Sequence, residues 1–410
     1  MKNKVIIPEL ELASTGNKEI LEKYGGLLRS SRLKDFSPEV EVWASSASNH
    51  ALAYHSHGIF RYFGKFPPPV ARHLIKEYTT ENDLIIDPMC GSGTTGLEAL
   101  LLNRRAKCYD VNPLSVLISS VKISNIDTYE IVEVIEKIKN KYERDKIKFT
   151  DHELVGLRNP THWFLPETIE SLQKIKNLIY SSSASNEVKD ALLVALLSVV
   201  RRVSRATTQQ GRLFLDVETA EEDAFPFFEK KAYKLVNKLA DIPSNHKVRV
   251  EALSIFDKPN LRGKKANLII CHPPYFNSYK YSSVNSLELS ILGVDHADIR
   301  KLEVREAFKV GKAEKVQEYL DDMERGLRNL NTYLDKNGKL ALMIGDTIIK
   351  GEYIPVTSEL VKRLSDIFKV SKSALRIPKF TEASWVASQR RKTNDIGINL
   401  CDMVVVLEKK

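Results

Sequence analysis

Cysteine is scarce in this chain of 410 residues, and the four present, Cys90, Cys108, Cys271 and Cys401, lie far apart with no C-x-x-C pair. That spacing argues against a zinc knuckle and against a secreted disulfide framework, and it leads to the expectation of a reducing, cytoplasmic setting with no metal site. Long apolar runs are missing too. No stretch approaches the roughly eighteen apolar residues of a membrane helix, and the apolar run within residues 5–8 is too short for a signal peptide, so a soluble protein is expected. The third absence is a lysine after the glycines of the one glycine-rich loop, which removes the G-K-[ST] signature of a nucleotide-hydrolysing P-loop.

What is present is enough apolar material, 43% of the residues, for a large core, and an excess of 62 Lys and Arg over 53 Asp and Glu that gives a formal net charge of +9. Such a charge suits a polyanion, because cations neutralise phosphates and release counterions, although a solvated Lys-rich surface carries the same charge. Short apolar runs at 84–87, 106–110, 248–250, 268–271, 339–344 and 403–407 are bounded by turn residues, as buried parallel strands are. Helical periodicity fills the intervals, which makes the framework α/β. The organisation expected is a peripheral arm over 1–50, a core over 51–125 and 247–410, and a helical insertion over 126–246. A second helical, charge-rich stretch is expected over about 298–334.

Residues 84–97, LIIDPMCGSGTTGL, read as a buried strand, a glycine turn and a helix opening at Thr94 or Thr95. Glycines permit close backbone approach, and a helix N-terminus offers unpaired N–H groups to an electron-rich ligand. Gly91, Gly93 and Gly96 also satisfy G-x-G-x-x-G, with Asp110 ending the next strand, so a dinucleotide site remains open at this point.

The longer string Asp87-Pro-Met-Cys-Gly-Ser-Gly-Thr-Thr resembles the adenosylmethionine loop of the DNA exocyclic-amino methyltransferases, the cytosine-N4 and adenine-N6 enzymes of restriction–modification systems. The resemblance covers about 58–125 and 248–407. It implies a Rossmann-like class I methyltransferase fold, with a mostly parallel twisted sheet flanked by helices, and S-adenosyl-L-methionine as cofactor. By the same resemblance Asp87 lies near the methionine part, Gly91 and Gly93 cradle it, Asp110 holds the ribose, and Lys65, Phe66 and Pro67 wrap the methionine end. Pro88, Cys90, Ser92, Thr94, Thr95, Asn112 and Glu251 complete the expected cofactor set.

The second motif, His272-Pro273-Pro274-Tyr275, closes an apolar run and resembles the family tetrad (Asp, Asn or Ser)-Pro-Pro-(Tyr, Phe or Trp). The chemistry accounts for the pattern. A base amino nitrogen is a poor nucleophile because its lone pair is delocalised into the ring, and hydrogen-bond acceptors restore that density. A polar side chain ahead of the prolines and a neighbouring carbonyl can accept the two N–H bonds, and Tyr275 can stack on a base flipped out of the duplex. His272 departs from the family at the acceptor position; neutral imidazole can accept, imidazolium cannot.

The function expected is site-specific DNA methylation at an exocyclic amino group, with a lean to cytosine N4 over adenine N6. An RNA guanine-N2 methyltransferase and a non-catalytic nucleic-acid-binding relic are the alternatives. Partners expected are double-stranded DNA and a cognate restriction endonuclease, with no membrane. DNA-reading candidates are Arg201, Arg202 and Arg205 with Gln209, Gln210 and Arg212, and a second basic region over 372–379 with 390–392. Tyr279 and Tyr281 are equally readable as stacking or core residues.

Overall fold

The computed structural model describes residues 6–14, 18–45, 47–144, 153–207, 213–216, 221–244, 247–276, 281–304, 314–349, 352–377 and 401–410. All six apolar runs are strands of one sheet. In chain order the strands are β1 (Glu11–Ser14), β2 (Val40–Ala44), β3 (Leu84–Asp87), β4 (Arg105–Asp110), β5 (Val248–Ala252), β6 (Ala266–Cys271), β7 (Leu334–Ile344), β8 (Thr347–Ile349), β9 (Glu352–Ile354), β10 (Phe368–Ile377) and β11 (Asp402–Lys409). Nine of them form the sheet β1-β2-β10-β11-β7-β6-β3-β4-β5, while β8 and β9 pair as a separate ribbon. The order from β5 to β10 is that of a class I methyltransferase sheet.

Both faces of the sheet are buried, and this is why its strands read as continuous apolar runs. Alternation persists within them. Ile85, Leu268, Ile270, Ala341, Met343, Val404 and Val406 face one core, and Ile86, Ile269, Cys271, Leu340, Leu342, Met403 and Val405 face the other. The second core is closed by the amphipathic helix Glu314–Asn331 and by Val356–Arg363. The first holds the helices of the long interval between β4 and β5.

Those helices, Thr128–Arg144, Pro166–Tyr180, Asn186–Val203 and Phe225–Leu239, occupy the segment expected to be a helical insertion. They share one hydrophobic core with the sheet, so the segment packs on the core rather than standing apart from it. Two departures from the sequence reading follow from pairing that periodicity alone does not reveal. The run at 403–407 lies in a strand that is antiparallel to β7 and to β10, whereas parallel strands were expected. Within 1–50, β2 adds in parallel to β10 and β1 closes the edge, so this segment continues the sheet.

The connections set the site. From β3 the chain steps outward through β4 to β5, and later returns to β6 on the other side of β3. Such a reversal opens a crevice outside the carboxyl ends of the strands. The loops after β3, β4, β5 and β6 all meet there.

Two glycines near this crevice serve packing. Gly93 has φ +74°, and a Cβ there would lie 2.7 Å from Ser119 Oγ and 2.9 Å from Ser119 Cα. Gly96 sits 3.2 Å, by the same construction, from Cys108 Sγ, where the helix Thr94–Leu101 crosses β4. Gly263 shares the left-handed backbone (φ +76°) but has open space around it. Gly93→Ala is therefore expected to destabilise by about 2 to 5 kcal/mol, strain plus overpacking, and Gly263→Ala by only about 1 to 2. Equal shifts in the denaturant midpoints of the two variants would contradict this packing role.

Candidate active site

β3 ends in Asp87, which is almost fully buried, and its Oδ1 accepts the Met89 N–H at 3.2 Å to start the turn. The loop then folds back on β4. Cys90 donates its N–H to Tyr109 O at 3.1 Å, and Gly91, at φ +48°, donates to Asp110 Oδ2 at 2.9 Å. Asp110 Oδ1 meanwhile accepts the Asn112 N–H at 2.9 Å, and Asn112 Oδ1 caps the next helix through Leu114 N at 3.0 Å. One carboxylate thus fixes two loops.

Above the loop lies the segment with Tyr62, Lys65 and Phe66. It is tethered from behind by a buried polar cluster in which Glu98 receives Arg72 Nη1 at 2.9 Å, lies 2.8 Å from His57 Nε2, and accepts the Tyr54 hydroxyl. Lys65 Nζ donates to His57 O at 2.7 Å. Tyr62 Oη meets Ser115 Oγ at 2.9 Å, and its ring lies so close to Gly91 that a Cβ there would come within 3.3 Å. A side chain at 91 would close the gap.

The result is a pocket of about 820 Å³, counting its open mouth. Lys65, Phe66, Asp87, Pro88, Cys90, Gly91, Ser92, Asp110 and Asn112 line it, together with His272 and Pro274 from the loop after β6. The two motifs meet across it. Several expected residues do not reach it. Gly93, Thr94 and Thr95 open the helix behind the loop, Pro67 caps the helix Pro68–Tyr78, and Pro273 and Tyr275 lie behind their neighbours. Glu251 does not line the pocket and instead pairs with Lys107; the pocket takes Ser254 and Ile255, just past β5.

Sequence reading missed Tyr62, Ser254 and Glu303. Ser254 follows the end of a strand next to the switch point, and that position was the available signal. Glu303 carried none: it sits in a charge-rich stretch that reads as a solvated helix, yet tertiary folding buries it beside Asp110, where it accepts Ser282 N and Oγ at 2.9 Å each. Tyr281 does line the pocket and stacks on Tyr62 with centroids 5.9 Å apart, whereas Tyr279 lies outside the described residues.

Burial dominates the electrostatics. It raises Asp87 to about 7, aided by the Asp110 charge, raises Asp110 to about 6, and raises Glu303 to about 7. It lowers His272 to about 4, well below an ordinary imidazole. His272 is therefore neutral at physiological pH. Its ring packs against Phe66, with centroids 5.1 Å apart, and edge-on to Tyr275 at 5.4 Å. The Tyr275 ring abuts Gly345, where a Cβ would come within 2.7 Å of it. Of the proline carbonyls, Pro274 O accepts the Tyr319 hydroxyl at 2.9 Å, while no described residue donates to Pro273 O.

The basic segments fare differently. Arg201 is buried, its Nη2 donating to Val284 O at 2.7 Å and its guanidinium lying over Phe63, so it is a packing residue and not a phosphate contact. Arg202 pairs with Glu221 at 3.1 Å, and Arg205 donates to Thr161 O at 3.2 Å. Lys372 pairs with Glu41 and Glu77, and Arg376 with Asp402. Gln209, Gln210, Arg212, Lys379 and residues 390–392 lie outside the described residues. Among the described residues no helix is long and apolar enough to cross a membrane.

Residues 12–121 match the sequence model of the DNA methylase family. The chain is 21% identical over 394 residues to the Type II methyltransferase M.MjaII of Methanocaldococcus jannaschii, covering 71% of this chain and 72% of that protein. It is 26% identical over 280 residues to M.BsoBI of Geobacillus stearothermophilus, covering 60% of this chain and about half, 54%, of the relative. With M.MvaI of Kocuria varians the identity is 23%, over 67% of this chain and 68% of the relative. Together with the Asp87 to Thr95 loop, the Pro-Pro-Tyr segment and the strand order, these matches show that the chain is similar to the DNA exocyclic-amino methyltransferases of restriction–modification type.

Proposed function

We propose that the chain transfers a methyl group from S-adenosylmethionine to the exocyclic amino group of a base in duplex DNA, cytosine N4 rather than adenine N6, with the base swung out of the helix. The observation that carries this reading is the meeting of the glycine loop and the His272 segment across one pocket. When bound, S-adenosylmethionine supplies an electrophilic methyl carbon on a sulfonium. The pocket suits such a ligand in two ways. Ser92 Oγ and Asn112 Nδ2 are buried without hydrogen-bond partners, which costs free energy unless a ligand satisfies them. Three acids, Asp87, Asp110 and Glu303, face a space that a ligand with a sulfonium and an ammonium would fill with positive charge.

In this reading Asp110 and Ser92 bind the sugar and methionine parts, and Lys65 and Phe66 close over them. Neutral His272 accepts one N–H of the target amine, and a backbone carbonyl of the adjoining Pro-Pro segment is the expected second acceptor, which returns lone-pair density to the nitrogen. A basicity near 4 keeps the imidazole an acceptor at every pH at which the enzyme would work. Tyr275 and Phe66 offer aromatic surface beside the ring. DNA contacts by the two nominated basic regions are reduced to Arg205, the exposed part of Arg202, and residues outside those described.

Two outcomes are expected. Because burial holds the pocket acids near pH 6 to 7 in the free protein, a cationic ligand favours their ionised forms and expels protons. Affinity for S-adenosylmethionine, measured by calorimetry in buffers of different ionisation enthalpy, should rise between about pH 5.5 and 7.5 with proton release. Asp110→Asn should blunt the rise. An affinity independent of pH in the native protein would contradict this placement of the cofactor.

The second outcome concerns activity. Tritiated methyl from S-adenosylmethionine should pass to duplex DNA and not to RNA, and His272→Ala should lower single-turnover transfer by about 100-fold or more while cofactor affinity stays unchanged. Native-rate transfer by His272→Ala would remove the acceptor role, and label in RNA alone would overturn the substrate.

A further inference from the structure

Behind the His272 ring runs a line of polar contacts that the proposed chemistry does not by itself call for. Asp402 opens β11, and Arg376, its direct cross-strand partner on β10, lies with Nη1 2.6 Å from Asp402 Oδ2. The other carboxylate oxygen, Oδ1, accepts the Tyr275 hydroxyl at 2.7 Å. Tyr275 Oη in turn lies 3.3 Å from His272 Nε2. The line thus joins the end of the chain to the tetrad across 127 residues between Tyr275 and Asp402.

Proton counting fixes the sense of each contact. A carboxylate paired with a guanidinium is ionised and can only accept, so the single tyrosine proton points at Asp402. Tyr275 Oη then has lone pairs alone to offer His272, and the contact is satisfied only if Nε2 carries a hydrogen. A neutral imidazole has one N–H. If it is on Nε2, then Nδ1 is the bare nitrogen, and Nδ1 has no hydrogen-bond partner among the described residues.

We propose that Asp402, held by Arg376, is a positioning residue that acts through the Tyr275 hydroxyl to fix His272 as the Nε2–H tautomer, leaving Nδ1 as the acceptor for the target amino group. The inference rests on the reading of His272 as that acceptor. It explains how histidine can stand where an always-accepting Asp, Asn or Ser would otherwise be expected: imidazole accepts at only one nitrogen, so a second group must choose which. The aromatic hydroxyl of the tetrad, which base stacking does not need, is put to that use.

The test is the protonation pattern of His272 in the full-length protein at pH 7 without DNA. In the protein labelled with 15N-histidine, two-bond 1H–15N correlation spectra distinguish the tautomers, and His272→Gln identifies the resonance by its loss. The native protein should show the Nε2–H form. Asp402→Asn, which keeps the shape but can donate to Tyr275, and Tyr275→Phe, which removes only the oxygen, should each yield a mixture or the Nδ1–H form. Both should lower kcat for methyl transfer by about 10- to 100-fold with cofactor affinity unchanged. Nδ1–H in the native protein, or an undisturbed Nε2–H form in both variants, would overturn the proposal; the latter is what a purely structural pin would give. The spectra report on the network even if His272→Ala proves fully active, so failure of the acceptor reading and failure of this inference are separable.

Discussion

The Asp110 carboxylate, with Gly91 N–H on one oxygen and Asn112 N–H on the other, both at 2.9 Å, is the contact on which the rest of the site depends. It ties the loop after β3 to the turn after β4. Without it the Gly91 N–H, in a left-handed turn residue, and the Asn112 N–H, ahead of the helix that Asn112 caps, would both lose their acceptor. The group that does this is buried and held only by amides, which leaves it more easily protonated than an ordinary aspartate. A pocket built on such acids favours a positively charged occupant.

The same sheet brings the second motif to that pocket. β6 pairs with β3 in parallel, so the residues that follow Cys271 emerge beside those that follow Asp87. His272 enters apolar surroundings, with Phe66 on one side and Tyr275 on the other, and this burial holds its imidazole neutral. The departure from Asp, Asn or Ser at this position therefore leaves a neutral imidazole, which can accept a hydrogen bond. The antiparallel pair β10 and β11 extends the sheet and supplies the Arg376–Asp402 pair behind it.

Legibility in the sequence followed the range of the forces involved. Strands buried on both faces announce themselves by composition, and 84–87 was read to the residue; a turn of close glycines between strand and helix was equally plain. Features made by pairing across the chain were not. Nothing local distinguishes an antiparallel β11 from its parallel neighbours, and β10, with Lys369, Lys372 and Arg376 among its ten residues, lacks an apolar run. Arg201 looked like a phosphate ligand since charge is visible in sequence, whereas the Val284 carbonyl that receives it, 83 positions away, is not. Glu303 and Asp402 were hidden for the same reason. Gly93 was read as cradling the cofactor, whereas the neighbour that leaves no room for a side chain there is Ser119.

In the proposed chemistry, His272 and a neighbouring acceptor draw electron density onto an exocyclic amine. The most direct measurement is mass spectrometry of nucleosides from duplex DNA incubated with the protein and S-adenosylmethionine carrying an isotopically labelled methyl group. Labelled N4-methylcytosine is the expected product; label in N6-methyladenine alone would overturn the choice of base. Label on a ring carbon of cytosine, or none in any base, would contradict the proposed chemistry.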